Sequence, residues 1–177
     1  MASESVAEIR HTLSILVDNE PGVLGRVVGL FSGRGYNIES LTVSSVDEEG
    51  ALSRISIITR GTPMVVEQIK AQLTRMVPVH KVVDLTSFGG HIERELALVK
   101  IVNTGVARVE ALRIADTFRA HTLDSTLESF VFEITGNSEK LTAFVALMRA
   151  LGKVEVARTG VSAISRGGQL DMPVATP

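Results

Sequence analysis

One strand breaks off at Asp18-Asn19-Glu20-Pro21-Gly22 and the chain resumes at once as a helix, which restricts the path of everything after it. Upstream, Ile9, His11, Leu13, Ile15 and Val17 alternate with Arg10, Thr12, Ser14, Leu16 and Asp18, the period of a half-buried strand. Pro21 suits a first helical position, where its missing N–H has no intrahelical partner to lose. Leu24, Val27, Val28 and Phe31 then recur at i, i+3, i+4 and i+7 on one helical face. Gly33-Arg34-Gly35 stops the helix, because glycine enters the left-handed region without a Cβ clash. A strand, a reversing turn and a helix folded back along that strand is the start of a two-layer α+β unit.

The next segments complete the unit. A second strand is expected over about residues 37–46, with Glu39, Leu41, Val43 and Ser45 on one face and Ile38, Ser40 and Thr42 on the other. Asp47-Glu48-Glu49-Gly50 reads as a charged hairpin turn. The third strand has Ile55 and Ile57 facing one way and Arg54, Ser56 and Ile58 the other, and ends at Arg60-Gly61. Thr62 caps a helix that opens with Pro63 and buries Val66, Ile69, Leu73 and Met76. Pro78 breaks it, and Val79, Lys81, Val83 and Leu85 form a fourth strand. Strand-helix-strand-strand-helix-strand is the ferredoxin-like order.

After Phe88-Gly89-Gly90, which reads as a hinge, the order repeats. A strand over residues 96–102 leads through Asn103-Thr104-Gly105 into a helix carrying Val109, Leu112, Ala115 and Phe118. A short strand near His121 to Ser125 precedes one in which Phe130, Phe132 and Ile134 alternate. Gly136-Asn137-Ser138 opens a helix with Leu141, Phe144, Val145, Met148 and Leu151, and the last strand runs from Lys153 to Arg158. The expected fold is α+β, two ferredoxin-like βαββαβ domains in tandem. Residues 1–8 form a tail, 9–88 and 89–164 the two domains, and 165–177 a mobile tail rich in polar residues, Gly and Pro.

The chemistry concentrates at the first turn. A helix N-terminus carries unpaired N–H donors and a partial positive charge, here on about Gly22, Val23 and Leu24. Gly22 has no side chain to hold off a carboxylate, and Asn19 beside it offers a donor and an acceptor. With its apolar walls this seat suits an amino acid better than a phosphate. On spacing alone the same residues also read as a plain helix cap, in which Asn19 makes the turn and Gly22 tolerates it.

Other chemistries find little support. The chain has no cysteine, which removes disulfides, thiolate nucleophiles and zinc–thiolate sites. A net charge of -2 and no exposed aromatic pattern argue against a nucleic-acid surface. No apolar run approaches a membrane span, and Met1-Ala2-Ser3-Glu4-Ser5 lacks the features of a signal peptide, so a cytoplasmic location is expected. Gly33-x-Gly35 follows a helix and leads into a strand, the reverse of a dinucleotide loop. His11, His80, His91 and His121 lack metal-ligand spacing and read as surface or strand residues. Glu93-Arg94-Glu95 reads as a solvated strand entry, and a Ser-His-Asp group cannot be proposed from spacing.

The runs Asn19-Glu20-Pro21-Gly22-Val23-Leu24, Gly29-Leu30-Phe31-Ser32 and Arg34-Gly35-Tyr36-Asn37-Ile38-Glu39-Ser40-Leu41-Thr42-Val43 resemble the ACT domain of the regulatory small subunit of acetolactate synthase, also called acetohydroxyacid synthase. The portion from Tyr36 to Val43 is close to a signature of that subunit. The resemblance continues through His91 to Lys100 and Glu155 to Gly160. It implies that residues 9–88 are an ACT domain that pairs side by side with a second copy, as a homodimer. Valine would then bind at the interface, with Asn19, Pro21, Gly22, Val23 and Leu24 from one chain and Asn37 and Ile38 from the other. It implies that the second domain, in which nothing answers the Pro-Gly pair or Asn37, contacts and activates the catalytic (large) subunit. Thiamine diphosphate, Mg and FAD belong by the same resemblance to that subunit, and this chain carries no catalytic residue. Two alternatives are a free-standing amino-acid sensor of the ACT class and a small enzyme on a ferredoxin-like scaffold. The second copy and the run from Tyr36 to Val43 favour the subunit over the sensor. The lack of a convergent acid–base set disfavours the enzyme.

Overall fold

A computed structural model of the chain describes residues 7–168 and residue 170. The first six elements are β1 (Ile9–Asp18), α1 (Val23–Ser32), β2 (Ser40–Ser45), β3 (Leu52–Gly61), α2 (Pro63–Thr74) and β4 (Val79–Asp84). Their strands form one antiparallel sheet in the order β2-β3-β1-β4. Leu13 lies opposite Ile57 and Ile15 opposite Ile55, so the apolar faces of the two central strands coincide. They pack with Val17, with Val23, Val27 and Phe31 of α1, and with Val66, Ile69 and Leu73 of α2. Thr62 caps α2 through its hydroxyl, which accepts from Val65 N–H at 3.4 Å, and Pro63 opens the helix as expected.

The second sheet is built from β5 (His91–Val102), α3 (Gly105–Phe118), β6 (His121–Ser125), β7 (Ser129–Gly136), α4 (Ser138–Arg149) and β8 (Lys153–Arg158). Its order is β6-β7-β5-β8, the same topology as the first sheet, and a short β9 (Ser162–Ser165) pairs with β5 off that path. Its core joins Ala97, Val99 and Ile101 to Phe130, Phe132, Ile134 and the Leu141, Phe144 and Met148 face of α4. Phe132 and Phe144 meet edge to face at 6.1 Å. The two ferredoxin-like units thus repeat in tandem. No helix among the described residues is long and apolar enough to cross a membrane.

Three local expectations are corrected. The second strand begins at Ser40 rather than near Asn37, and Tyr36, Asn37 and Ile38 form a loop before it. α3 buries Ala111 and Ala115, not Val109 and Leu112, which are 60% and 38% exposed. Small alanines suit a helix packed over a core that already holds Phe130 and Phe132 of β7 and Phe144 of α4. Glu95 is not a solvated entry residue. It is 6% exposed and takes a two-pronged bond from Arg158, with Nε on Oε1 at 2.8 Å and Nη2 on Oε2 at 2.6 Å, and a further bond from Ser138 Oγ at 3.1 Å. His11 is a strand residue as expected, and it is buried, its Nδ1 2.8 Å from Asp84 Oδ2.

The residues group into two compact units: the described residues up to Ile92 with those from Ser162 onward, and Glu93–Val161. The sequence reading puts the division at about residue 88 and starts a tail at 165. In the structure Ser162–Ser165 is β9 and counts with the first unit. The reason is visible in β1, where Thr12, Ser14 and Leu16, on the face away from the helices, are no more than 1% exposed. Ala163 packs with Val83 and Leu85, and Val83 lies opposite Ser14 on that same face. Arg54, opposite Leu16, donates from Nη1 to the Ala163 carbonyl at 3.4 Å. Residues 1–6, 169 and 171–177, on which most of the two expected tails fall, lie outside the described residues.

Candidate functional site

The turn between β1 and α1 differs from expectation in one respect that shifts the donors. α1 begins at Val23, with Gly22 as its N-cap at φ 86°, ψ −7°. Those are the angles of the third residue of a type II turn, whose second residue is favoured as proline. Val23 N–H closes the turn on the Glu20 carbonyl at 3.3 Å. Pro21 therefore stands in the turn and not at the first helical position. A type II turn and a helix start both favour Pro before Gly, and the sequence alone does not separate them.

The donors that face outward move with it. Val23 spends its N–H on the turn, and Arg26 makes the first helical bond, to Gly22 O at 3.0 Å. The first-turn N–H groups left over are those of Leu24 and Gly25. A Cβ on Gly22 would meet no atom within 4 Å, so the space above the turn is open. Glycine is needed there for its positive φ and not for want of room. Asn19, Pro21 and Gly22 are exposed and Leu24 is 40% exposed, whereas the Val23 side chain is 3% exposed and belongs to the core.

Asn19 is held at its backbone N–H and through its side-chain amide. Its backbone N–H reaches the Ala51 carbonyl and its Nδ2 the Gly50 carbonyl, each at 2.7 Å. Oδ1 and the second Nδ2 hydrogen are left for a ligand, so Asn19 keeps the acceptor and the donor that the sequence suggests. The partners lie in the β2–β3 hairpin, whose role at the turn was not legible in the sequence. Asp47 organises that hairpin. Its carboxylate accepts from Ala51 and Leu52 N–H, each at 3.0 Å. The Leu52 N–H foremost, with Ala51 and Ser45 adding, holds Asp47 below the usual aspartate range against the opposing effect of desolvation.

Asn37 and Ile38 are not brought to this turn. The Asn37 carbonyl accepts from Thr59 Oγ1 at 2.6 Å, and Thr59 lies opposite His11 near the start of β1. The turn instead follows Asp18, opposite Leu52. Seven residues of β3 separate the two ends, roughly 24 Å at strand rise. Asn37 is exposed, and Ile38 packs in part against the core. The residues picked out by sequence thus form two groups at opposite ends of one sheet, and β2 is an edge strand of that sheet. Among the described residues no three His, Asp or Glu side chains are grouped to hold a metal ion.

Comparison with known proteins agrees with this architecture. Residues 13–81 match the family described as "AHAS small subunit-like ACT domain", and residues 94–167 the family described as "Small subunit of acetolactate synthase". The chain is 47% identical over 163 residues to the acetolactate synthase isozyme 3 small subunit of Salmonella typhimurium, covering 92% of this chain and 99% of that protein. It is 42% identical over 161 residues to a probable acetolactate synthase small subunit of Archaeoglobus fulgidus, covering 91% and 99%. The crystal structure of the acetolactate synthase small subunit from Thermotoga maritima superposes with a TM-score of 0.81 at 36% identity, covering 91% of this chain and 99% of that one.

Proposed function

The chain belongs to the acetolactate synthase small-subunit family, and we propose that it binds valine between the ACT domains of two copies and passes that signal to the catalytic subunit as feedback inhibition. The observation that carries this reading is the separation of the two residue groups. The Asn19–Leu24 turn and the Asn37–Ile38 loop sit at opposite ends of one sheet with an edge strand beside them. Two copies paired along β2 about a two-fold axis run antiparallel, so the turn of one copy faces the loop of the other. Each shared site then has the N–H groups of Leu24 and Gly25 for the ligand carboxylate. Asn19 Oδ1 and the exposed amide of Asn37 are there for the ammonium. Leu24 and Ile38 form the apolar wall. Burying valine's isopropyl group contributes about 1.5–3 kcal/mol. Rejection of a neighbour one methylene larger is modest, about 1–3 kcal/mol.

Residues 9–88 carry this binding in the proposal, and residues 89–164 contact and activate the large subunit. Thiamine diphosphate, Mg and FAD reside on that subunit, in the cytoplasm. The small subunit acts by biasing an equilibrium of the assembly, a coupling of about 1–3 kcal/mol.

Mixed dimers test the shared site. Gly22→Asp and Asn37→Ala proteins each lose valine binding as homodimers. When they are unfolded together and refolded, each heterodimer regains one unaltered site, formed by the turn of one chain and the loop of the other. Calorimetry on the mixture should then find about one quarter of the wild-type stoichiometry on random re-pairing. No recovery at all places the site within one chain and sinks the proposal.

A further inference from the structure

We infer that Asp47 is a positioning residue for the ligand turn: through the β2–β3 hairpin it holds the Asn19 side chain away from α1, so that the seat stays open. The inference rests on the valine seat proposed above. Asp47 touches no part of that seat. It accepts from Ala51 and Leu52 N–H, and its own carbonyl receives Gly50 N–H at 3.3 Å. Gly50 turns at φ 69°. These bonds fix the peptides whose carbonyls, Gly50 O and Ala51 O, take one Nδ2 hydrogen and the backbone N–H of Asn19. Because a carbonyl only accepts, the contact with Gly50 determines which end of the amide it meets, and Oδ1 is directed elsewhere.

The second unit shows what the same residue does without such a hairpin. Asn103 follows β5 as Asn19 follows β1, and its N–H reaches a loop carbonyl, Glu128 O, at 2.9 Å, just as Asn19 reaches Ala51. Gly105 opens α3 at a positive φ of 62°, as Gly22 caps α1. The loop before β7, however, is organised by Thr126, whose hydroxyl accepts from Glu128 and Ser129 N–H. The Asn103 side chain is not held by that loop. Its Nδ2 turns onto Ala107 O of its own helix at 3.1 Å, and Asn103 is 8% exposed with Oδ1 shut inside. One asparagine lies over its helix start, and the other is tied back from it. The difference between the two copies is the hairpin that Asp47 organises.

Calorimetry with valine on the full chain tests this through a double-mutant cycle. Asp47→Ala should weaken valine binding about tenfold, and Asp47→Asn by less, since its amide keeps one acceptor. In an Asn19→Ala background Asp47→Ala should weaken it no further, because its effect runs through Asn19. Without ligand, the side-chain amide signals of Asn19 in nitrogen-15 NMR should move in Asp47→Ala and stay in place in Leu24→Ala. Equal losses in both backgrounds, or unmoved Asn19 amide signals, overturn the inference. Loss of binding in Gly22→Asp with wild-type binding in Asp47→Ala leaves the seat standing and removes Asp47 from it. Wild-type binding in Gly22→Asp overturns the seat and this inference together. If Asp47→Ala does not fold, Asp47→Asn carries the cycle and the NMR comparison.

Discussion

Thr59 donates its hydroxyl to the carbonyl of Asn37 at 2.6 Å and is itself fully buried. It ties the irregular loop after α1 to the body of the sheet, alongside Glu39 N–H on Ile58 O at 2.8 Å. Thr59→Val keeps the shape and removes the donor. The expected cost is about 1 kcal/mol of stability, with the Asn37 carbonyl free to find water. Valine affinity should fall as well, although Thr59 touches no ligand, because the Asn37 loop loses its anchor. A melt and a valine titration on the same sample check both. Lower stability with unchanged affinity would detach Asn37 from the site.

Gly22 separates strain from obstruction. At φ 86° any residue with a Cβ is strained, by about 1–2 kcal/mol, yet the space around it is open. Gly22→Ala and Gly22→Asp should therefore lose similar stability, with Asp somewhat better tolerated at a helix N-terminus. Their valine affinities should differ sharply. Alanine adds only a methyl group, whereas aspartate puts a second carboxylate beside the Leu24 and Gly25 donors. Comparable affinities for the two variants would mean that the ligand carboxylate does not sit at this helix end.

The order of elements was legible because the signals that set it are local. Thr62-Pro63 opens α2, and Phe130, Phe132 and Ile134 alternate down β7, each needing only its neighbours in sequence. Pro21 was misplaced because two local structures share Pro-Gly. On α3 the sequence points to Ala115 correctly, but apolar size points to Val109 and Leu112 where the structure buries Ala111. Asp47 reads locally as a turn residue, and only the fold brings its hairpin to Asn19, some thirty positions away. The pairing of Glu95 with Arg158 spans 63 residues and leaves no local trace.

That pair makes the second unit sensitive to a single substitution. Arg158→Met would leave the Glu95 carboxylate, 6% exposed, with only Ser138 Oγ as a partner among the described residues. The expected loss is about 2–3 kcal/mol, at the low end for a buried pair because Arg158 is 35% exposed. Glu95→Gln in the same background should recover much of it. Thermal melts measure the loss. An unchanged melt in Arg158→Met would show the carboxylate to be hydrated or protonated instead of paired.

Asp47 gives the first unit an acid limit of its own. Its folded pKa lies below the ordinary aspartate value, so its hydrogen bonds add stability above that value and lose it as pH falls through the depressed folded pKa. Asp47→Asn removes this titration. Melts between pH 5 and about pH 2 should show a shallower decline in the variant than in the wild type. Parallel declines would mean that other carboxylates account for the whole acid limb.

Removal of residues 162–177 tests whether the chain after Val161 is part of the first unit. Without β9, Ala163 no longer packs on Val83 and Leu85, and Arg54 loses the Ala163 carbonyl. Leu16 and Ile58, each 1% exposed in the full chain, lie on β1 and β3 beside that contact. Returning even part of such a face to water costs about 25 cal/mol per Å2, so exposing some 100 Å2 costs about 2.5 kcal/mol. The truncated chain should melt earlier, with faster hydrogen exchange in β1 and β4. The second unit has its own core of phenylalanines and should keep its exchange protection. Ala163→Asp in the full chain should reproduce the effect, since it buries an unpaired carboxylate on the same contact. If truncation leaves both melt and exchange unchanged, residues from Ser162 onward are a tail after all. If Ala163→Asp alone is destabilising, the charge accounts for the loss and not the packing of β9.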